Sequence, residues 1–148
     1  MRGYFSLDNR WQSISECLIE LDRFSGALKR IKGRSLGEFL ADPDLQHRAE
    51  RNLHGALEAS MTIGCLLIAA TGAELPNNYE ELFDRLAEES IISRDVALRL
   101  RHLEEFHNIL IHGRIDNWQK VYEQLDEVTD FENFAVEIRG YLKGKMAA

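Results

Sequence analysis

DPDLQHRAERNLHGALEASMTIGCLLIAATG, residues 42–72, decides the fold class. Asp42 stands as N-cap and Pro43 takes the first helical position, where its fixed φ and missing N–H cost nothing. The helix runs to about Gly72. Its roughly 29 residues span ~43 Å at 1.5 Å per residue. One line of this helix is polar: His47, Arg51, His54 and Glu58, continuing to Thr62 and Cys65. For His47 and Arg51 that line reads as a solvated face. Glu58 stands mid-helix, just before the most apolar run of the chain, and is expected to have a buried hydrogen-bond or ionic partner. That run, Ile63 to Ala70, is eight residues long. A spanning helix needs ~20.

The segments on either side also read as helix. Upstream, Trp11, Ile14, Leu18, Leu21, Leu28 and Ile31 recur at three, four or seven residues, one apolar stripe of a 3.6-residue period. Gly33 reads as the C-cap. Ser35 and Glu38 form a capping box that opens a short turn through Leu40. Downstream, Gly72 to Asn77 is a loop. Asn78 caps a short helix, Tyr79 to about Glu89, with Glu81 three residues on. Ser93 caps the next, which ends near Gly113. Asp116 caps the last, with Val121, Leu125, Val128, Ala135, Ile138 and Leu142 as its stripe, widened by Phe131 and Phe134. No segment has a period of two. Short connections make neighbouring helices antiparallel. The expected fold is an all-α, up-and-down bundle of four main helices plus a short one. The wide aromatic stripe exceeds what one chain is expected to cover, which predicts a homodimer.

At 148 residues the chain makes one domain, with 45% hydrophobic and 29% charged residues. Arg2, Asp8 and Arg10 interrupt any apolar leader, so a cytoplasmic chain with no membrane partner is expected. The net charge of −7 argues against a general basic coat for long duplexes, yet a local basic cleft stays open. Lys29, Arg30, Lys32 and Arg34 form one basic cluster, read as dipole complementation and solubility, or as a guide for a phosphate backbone. Cys17 and Cys65 form no Cys-x-x-Cys, so neither a disulfide framework nor a thiolate zinc site is expected. There is no Gly-rich phosphate loop, no Gly-x-Ser-x-Gly and no Cys/His nucleophile arrangement.

The chemistry concentrates in Phe106-His-Asn-Ile-Leu-Ile-His-Gly-Arg114. Asn108 and His112 are four apart and share a helix face with Arg101 and Glu105. His107 is ~140° from His112 and in line with Val96, Leu100, Leu103 and Leu110. Both histidines meet only if the helix ends between them or a second subunit completes the site. Taken singly, each histidine reads as a satisfied core residue or a complement to the helix dipole. Together with Asn108 they demand partners. Glu104-x-x-His107 is half of a di-iron bundle motif, but no second Glu-x-x-His exists, so no metal or other cofactor is expected.

These residues resemble the HepT-like branch of the HEPN (higher eukaryotes and prokaryotes nucleotide-binding) domains. Leu36-Gly-Glu-Phe-Leu-Ala-Asp-Pro-Asp-Leu-Gln-His and Pro76-Asn-Asn-Tyr-Glu-Glu-Leu-Phe are similar too, as are Asp116 and Val121-Tyr122. The resemblance covers nearly the whole chain, residues 1–148. It implies a dimer that brings two copies of the motif into one cleft. It also implies a metal-independent ribonuclease toxin whose antitoxin is a minimal nucleotidyltransferase. The family motif is Arg, then Asn, a few residues, then His, with a Tyr two beyond that receives AMP. Asn108 and His112 match. His107 occupies the Arg position and Arg114 the Tyr position, which removes the AMP acceptor; Tyr122 is the nearest Tyr downstream.

For RNA cleavage, His112 suits general base or acid work near neutral pH. His107 when protonated, or Arg101 and Arg114, would stabilise charge on the phosphorane, and Asn108 would orient His112 or bind phosphate. Two other readings stand beside this one. One is a non-catalytic module that binds a nucleotidyltransferase or a nucleotide. The other is a dimeric bundle whose histidines are structural.

Overall fold

The central helix begins and ends where its caps place it. Asp42 Oδ1 accepts from the N–H groups of Asp44 (3.0 Å) and Leu45 (3.2 Å), and Pro43 opens the helix. Gly72 closes it at φ 82°, a left-handed conformation that glycine adopts without Cβ strain. The computed structural model describes residues 2–112 and 117–147. In chain order the helices are α1 (Arg2–Lys32), α2 (Leu36–Ala41), α3 (Pro43–Thr71), α4 (Tyr79–Glu88), α5 (Arg94–His112), α6 (Trp118–Gln124) and α7 (Val128–Ala147), with a 3-10 turn, Leu125–Glu127, between the last two.

The four long helices α1, α3, α5 and α7 make an all-α bundle; α4 packs against α3 and α5, and the short α2 and α6 pack on each other. No strand occurs among the described residues. Ser35 and Glu38 form the reciprocal capping box: Glu38 N–H donates to Ser35 Oγ (3.1 Å), and Ser35 N–H donates to Glu38 Oε1 (3.2 Å). These bonds, with the Arg34 pair, hold the Glu38 carboxyl below the usual range. Asn78 caps α4 by accepting from Glu81 N–H (2.9 Å).

α1 lies along α3 as the main helix pair. Ile14, Leu18, Leu21, Leu28 and Ile31 are buried from α1, and Leu53, Leu57, Ile63 and Leu67 from α3. Two glycines let neighbours approach. A Cβ built on Gly55 would stand 2.5–2.9 Å from the Phe24 ring, and one on Gly64 3.1–3.2 Å from Leu82 and Leu86. By length and composition α3 is apolar enough to cross a membrane, but its apolar face is covered by α1, α4 and α5 of the same chain. The thiols of Cys17 and Cys65 are free, and burial pushes both pKa values up.

The C-terminal third departs from expectation. A single last helix is replaced by α6, the 3-10 turn and α7. Val128 N–H bonds to Leu125 O, three residues back, which tightens the turn. Tertiary contacts pin this stretch. Tyr122 Oη donates to the Arg34 carbonyl (2.6 Å), and Lys32 Nζ lies 3.0 Å from Asp126 Oδ1 and 4.0 Å from the Tyr122 ring centroid. The observed N-cap is Asn117, which accepts from Lys120 N–H (3.3 Å), and not Asp116, which lies outside the described residues. The aromatic stripe is also corrected. Phe131 and Phe134 are fully buried within one chain, so their width gives no reason for a dimer.

Candidate functional site

α5 carries the motif, and contacts with the core and with α7 hold its first half. Ser93 caps it, its Oγ accepting from Val96 N–H (3.2 Å). Glu137 of α7 holds that cap, accepting from Ser93 N–H (2.6 Å) and from Ser93 Oγ (2.9 Å). Val96, Ala97, Leu100 and Leu103 are buried against the core. Arg99 pairs with Asp95 (3.2 Å) and reaches Asp130 of α7 (3.8 Å).

Arg101 points the other way around the helix. Its guanidinium lies 3.3 Å from Asp84 and 3.9 Å from Glu80, both on α4. The side chain is 37% exposed, so an incoming phosphate would have to compete with two carboxylates for it. Glu104 is buried.

His107, Asn108 and His112 occupy the last two turns of α5. Their side chains, and Arg114 altogether, lie outside the described residues. In helical register Asn108 and His112 fall within ~20° of Arg101, while position 107 falls with Leu100. Leu100 is fully buried.

The polar line of α3 proves to be the wall of a cavity. His47, Glu50, Arg51 and His54 line a volume of about 350 Å³. His47 Nδ1 lies 3.7 Å from Glu50 Oε2, and His54 Nε2 lies 3.8 Å from Glu58 Oε1. Glu58 is therefore 50% exposed, and the buried partner expected for it is not found; its register follows His54 and Arg51 outward, away from Leu57 and Met61. The His47 ring meets the edge of Trp118 with centroids 5.8 Å apart at 83°. Trp118 was not singled out by the sequence. The available signal was an indole opening the helix directly after the motif segment.

The basic cluster at the end of α1 is largely neutralised: Lys29 pairs with Glu132 (3.2 Å), Lys32 with Asp126 and Arg34 with Glu38 (2.9 Å). Tyr122, half-buried, spends its hydroxyl on the Arg34 carbonyl. Among the described residues, no group of three His, Cys, Asp or Glu side chains is gathered to hold a metal ion.

A family model described as ribonuclease HepT-like matches residues 14–138. The chain belongs to this family. The matched segment of this HepT-like chain takes in all of α5 and everything from His107 to Arg114. Solved structures share the fold. A tri-AMPylated HEPN toxin of Shewanella oneidensis, in complex with its MNT antitoxin, superposes with a TM-score of 0.79 at 22% identity, over 86% of this chain and 97% of that one. A toxin–antitoxin structure with AMP-PNP gives 0.78 at 22%, over 86% and 96%. YutE, a cytosolic protein of unknown function from Bacillus subtilis, gives 0.75 at 18%, over 90% and 93%. No curated protein matches the chain.

Proposed function

We propose that this HepT-like protein is a metal-independent endoribonuclease, the toxin of a toxin–antitoxin pair whose antitoxin is a minimal nucleotidyltransferase. The observation that carries the reading is the family match over residues 14–138, which includes His107-Asn108-x-x-x-His112 as a unit. The HEPN toxin of similar fold, held in complex with an MNT antitoxin, supports the partner class. The chain acts in the cytoplasm, as the fold it shares with a cytosolic Bacillus protein suggests.

The site forms in a dimer cleft, where one protomer gives His112 and its partner His107. His112 takes the proton of a 2′-hydroxyl. The 2′-oxygen bonds to the adjacent phosphorus, the bond from phosphorus to the 5′-oxygen breaks, and the leaving oxygen takes a proton from protonated His107. The products are a 2′,3′-cyclic phosphate and a 5′-hydroxyl. Protonated His107, with Arg101 and Arg114, stabilises the charge on the phosphorane, and Asn108 orients His112. Acid, base and cations all come from side chains, so the route needs no metal. Arg114 has no hydroxyl to accept AMP, and the Tyr122 hydroxyl is engaged within the fold. The motif position thus offers no AMP acceptor, which fits neutralisation by binding of the antitoxin.

A second reading is favoured by His107 itself. A histidine where the motif has arginine loses a permanent charge, which fits an inactive module that only binds the nucleotidyltransferase. Cleavage of RNA by the purified protein in EDTA separates the two. Cleavage by the parent and none by His112→Ala is the expected result. Cleavage by His107→Arg alone would make the chain a binding module, and cleavage by none of the three would end the catalytic reading.

A further inference from the structure

An acidic protein that handles RNA must concentrate its cationic field locally, because its overall charge of −7 repels the strand. Arg101 shares its charge with Glu80 and Asp84, and at the end of α1 Lys29, Lys32 and Arg34 share theirs with Glu132, Asp126 and Glu38. Arg30 beside them is exposed with no carboxylate oxygen within 4 Å among the described residues. The cavity on α3 sets such an arginine in a concave wall between two histidines. Arg51 is exposed there, and among the described residues no carboxylate oxygen lies within 4 Å of its guanidinium. His47 stands one turn before it and His54 one turn after, on the same wall. A guanidinium fork that no carboxylate occupies suits the paired oxygens of a phosphate.

Position ties this cavity to the motif. His47 packs on Trp118, and Trp118 follows His112 by only six residues. Six residues of fully extended chain reach ~20 Å at most, so the groove lies within a short stretch of RNA from the end of α5. We propose that the α3 groove around Arg51, between His47 and His54 and beside Trp118, is a backbone subsite that takes a phosphodiester of the RNA strand away from the scissile bond. The proposal rests on the ribonuclease reading above. The same phosphate chemistry is presented by a free nucleotide. Glu50 in the wall and Glu58 beside His54 favour the singly charged phosphodiester, because they repel a multiply charged mononucleotide more strongly.

The test measures binding of a short fluorescein-labelled oligouridylate by anisotropy. It uses full-length protein carrying His112→Ala, so that nothing is cut, across a series of salt concentrations. Arg51→Ala is expected to weaken binding several-fold and to flatten the slope of log affinity against log salt by about 0.7, the value of one lost phosphate contact on a single strand. Arg51→Lys should keep the slope, which a purely structural role for Arg51 does not predict. If the oligouridylate binds and Arg51→Ala leaves affinity and slope unchanged, the subsite is wrong while the ribonuclease reading stands. Competition by AMP or ATP as strong as that by unlabelled RNA would make the groove a nucleotide site and overturn the proposal. Arg51→Ala that loses only a co-purified nucleotidyltransferase, with RNA binding intact, would make it a protein-docking face and overturn it as well. Should the His112→Ala protein bind no RNA and the parent protein cut none, both readings fall together.

Discussion

Gly55 sets the closest approach in the fold, and its effect can be tested with one methyl group. A Cβ there would stand 2.5 Å from Phe24 Cζ, closer than real atoms pack. Alanine improves helix propensity by ~1 kcal/mol, but overpacking costs ~1–3 kcal/mol. Because Phe24 is only half-buried, its ring can swing out and give up its contact with α3. Gly55→Ala should therefore lose about 1 kcal/mol net, a fall of roughly 3 °C in Tm. Gly140, in α7, is the contrast, since a Cβ there meets nothing within 4 Å. Gly140→Ala should gain about 0.5–1 kcal/mol. Thermal melts of the two variants should move in opposite directions. Movement in the same direction would mean that helix propensity alone decides at Gly55. Neither sign is legible in the sequence, where both residues are simply glycines inside helices. For the same reason Glu58 reads as a buried charge until the rotation of α3 is known.

At the scale of elements, local chemistry was legible and tertiary chemistry was not. Ser35, Asp42, Asn78 and Ser93 cap the helices that their sequence positions indicate, because a cap depends on residues within one turn. The break at Leu125–Glu127 has no glycine or proline to mark it; it coincides with contacts from the end of α1. The carboxylates that flank Arg101 come from α4, and Glu137 reaches the α5 cap from α7, so spacing along α5 reveals neither. The start of α7 makes a pH-dependent contribution of the same hidden kind. Asp130, 4% exposed, has its carboxyl raised first by burial, with Asp95 adding to the shift and Arg99 opposing it. Glu127 is raised by burial and then by Asp130 and Asp126, against His102 and Arg99. A carboxyl raised in the fold favours the protonated state. Its stabilisation is complete below the ordinary carboxylate range and is lost as pH climbs through the raised value. Glu127→Gln removes one of these titrations. Chemical denaturation of parent and variant from pH 4 to pH 7 should show the variant losing less stability as pH rises. A parent that loses no more than the variant would rule out a raised Glu127.

For the whole molecule, the question is whether one chain holds a complete site. The bundle buries Phe131 and Phe134 itself, so the aromatic stripe gives no reason for a second copy. The demand comes from the motif. Positions 107 and 112 fall ~140° apart on α5, and α5 remains helical through His112, so a straight helix does not bring them together. In the dimer proposed above, position 107 of one protomer would join position 112 of its partner. The arrangement predicts complementation between two dead variants. In a mixture of His107→Ala and His112→Ala protein, unfolded and refolded together, a mixed dimer holds one site with both histidines intact and one with neither. With random pairing, about a quarter of the parental RNA cleavage should return. Sites confined to one chain return none, since every chain in the mixture lacks a histidine. Recovery near a quarter, absent when the variants are mixed without exchange of subunits, would tie catalysis to the pair of chains and not to either alone.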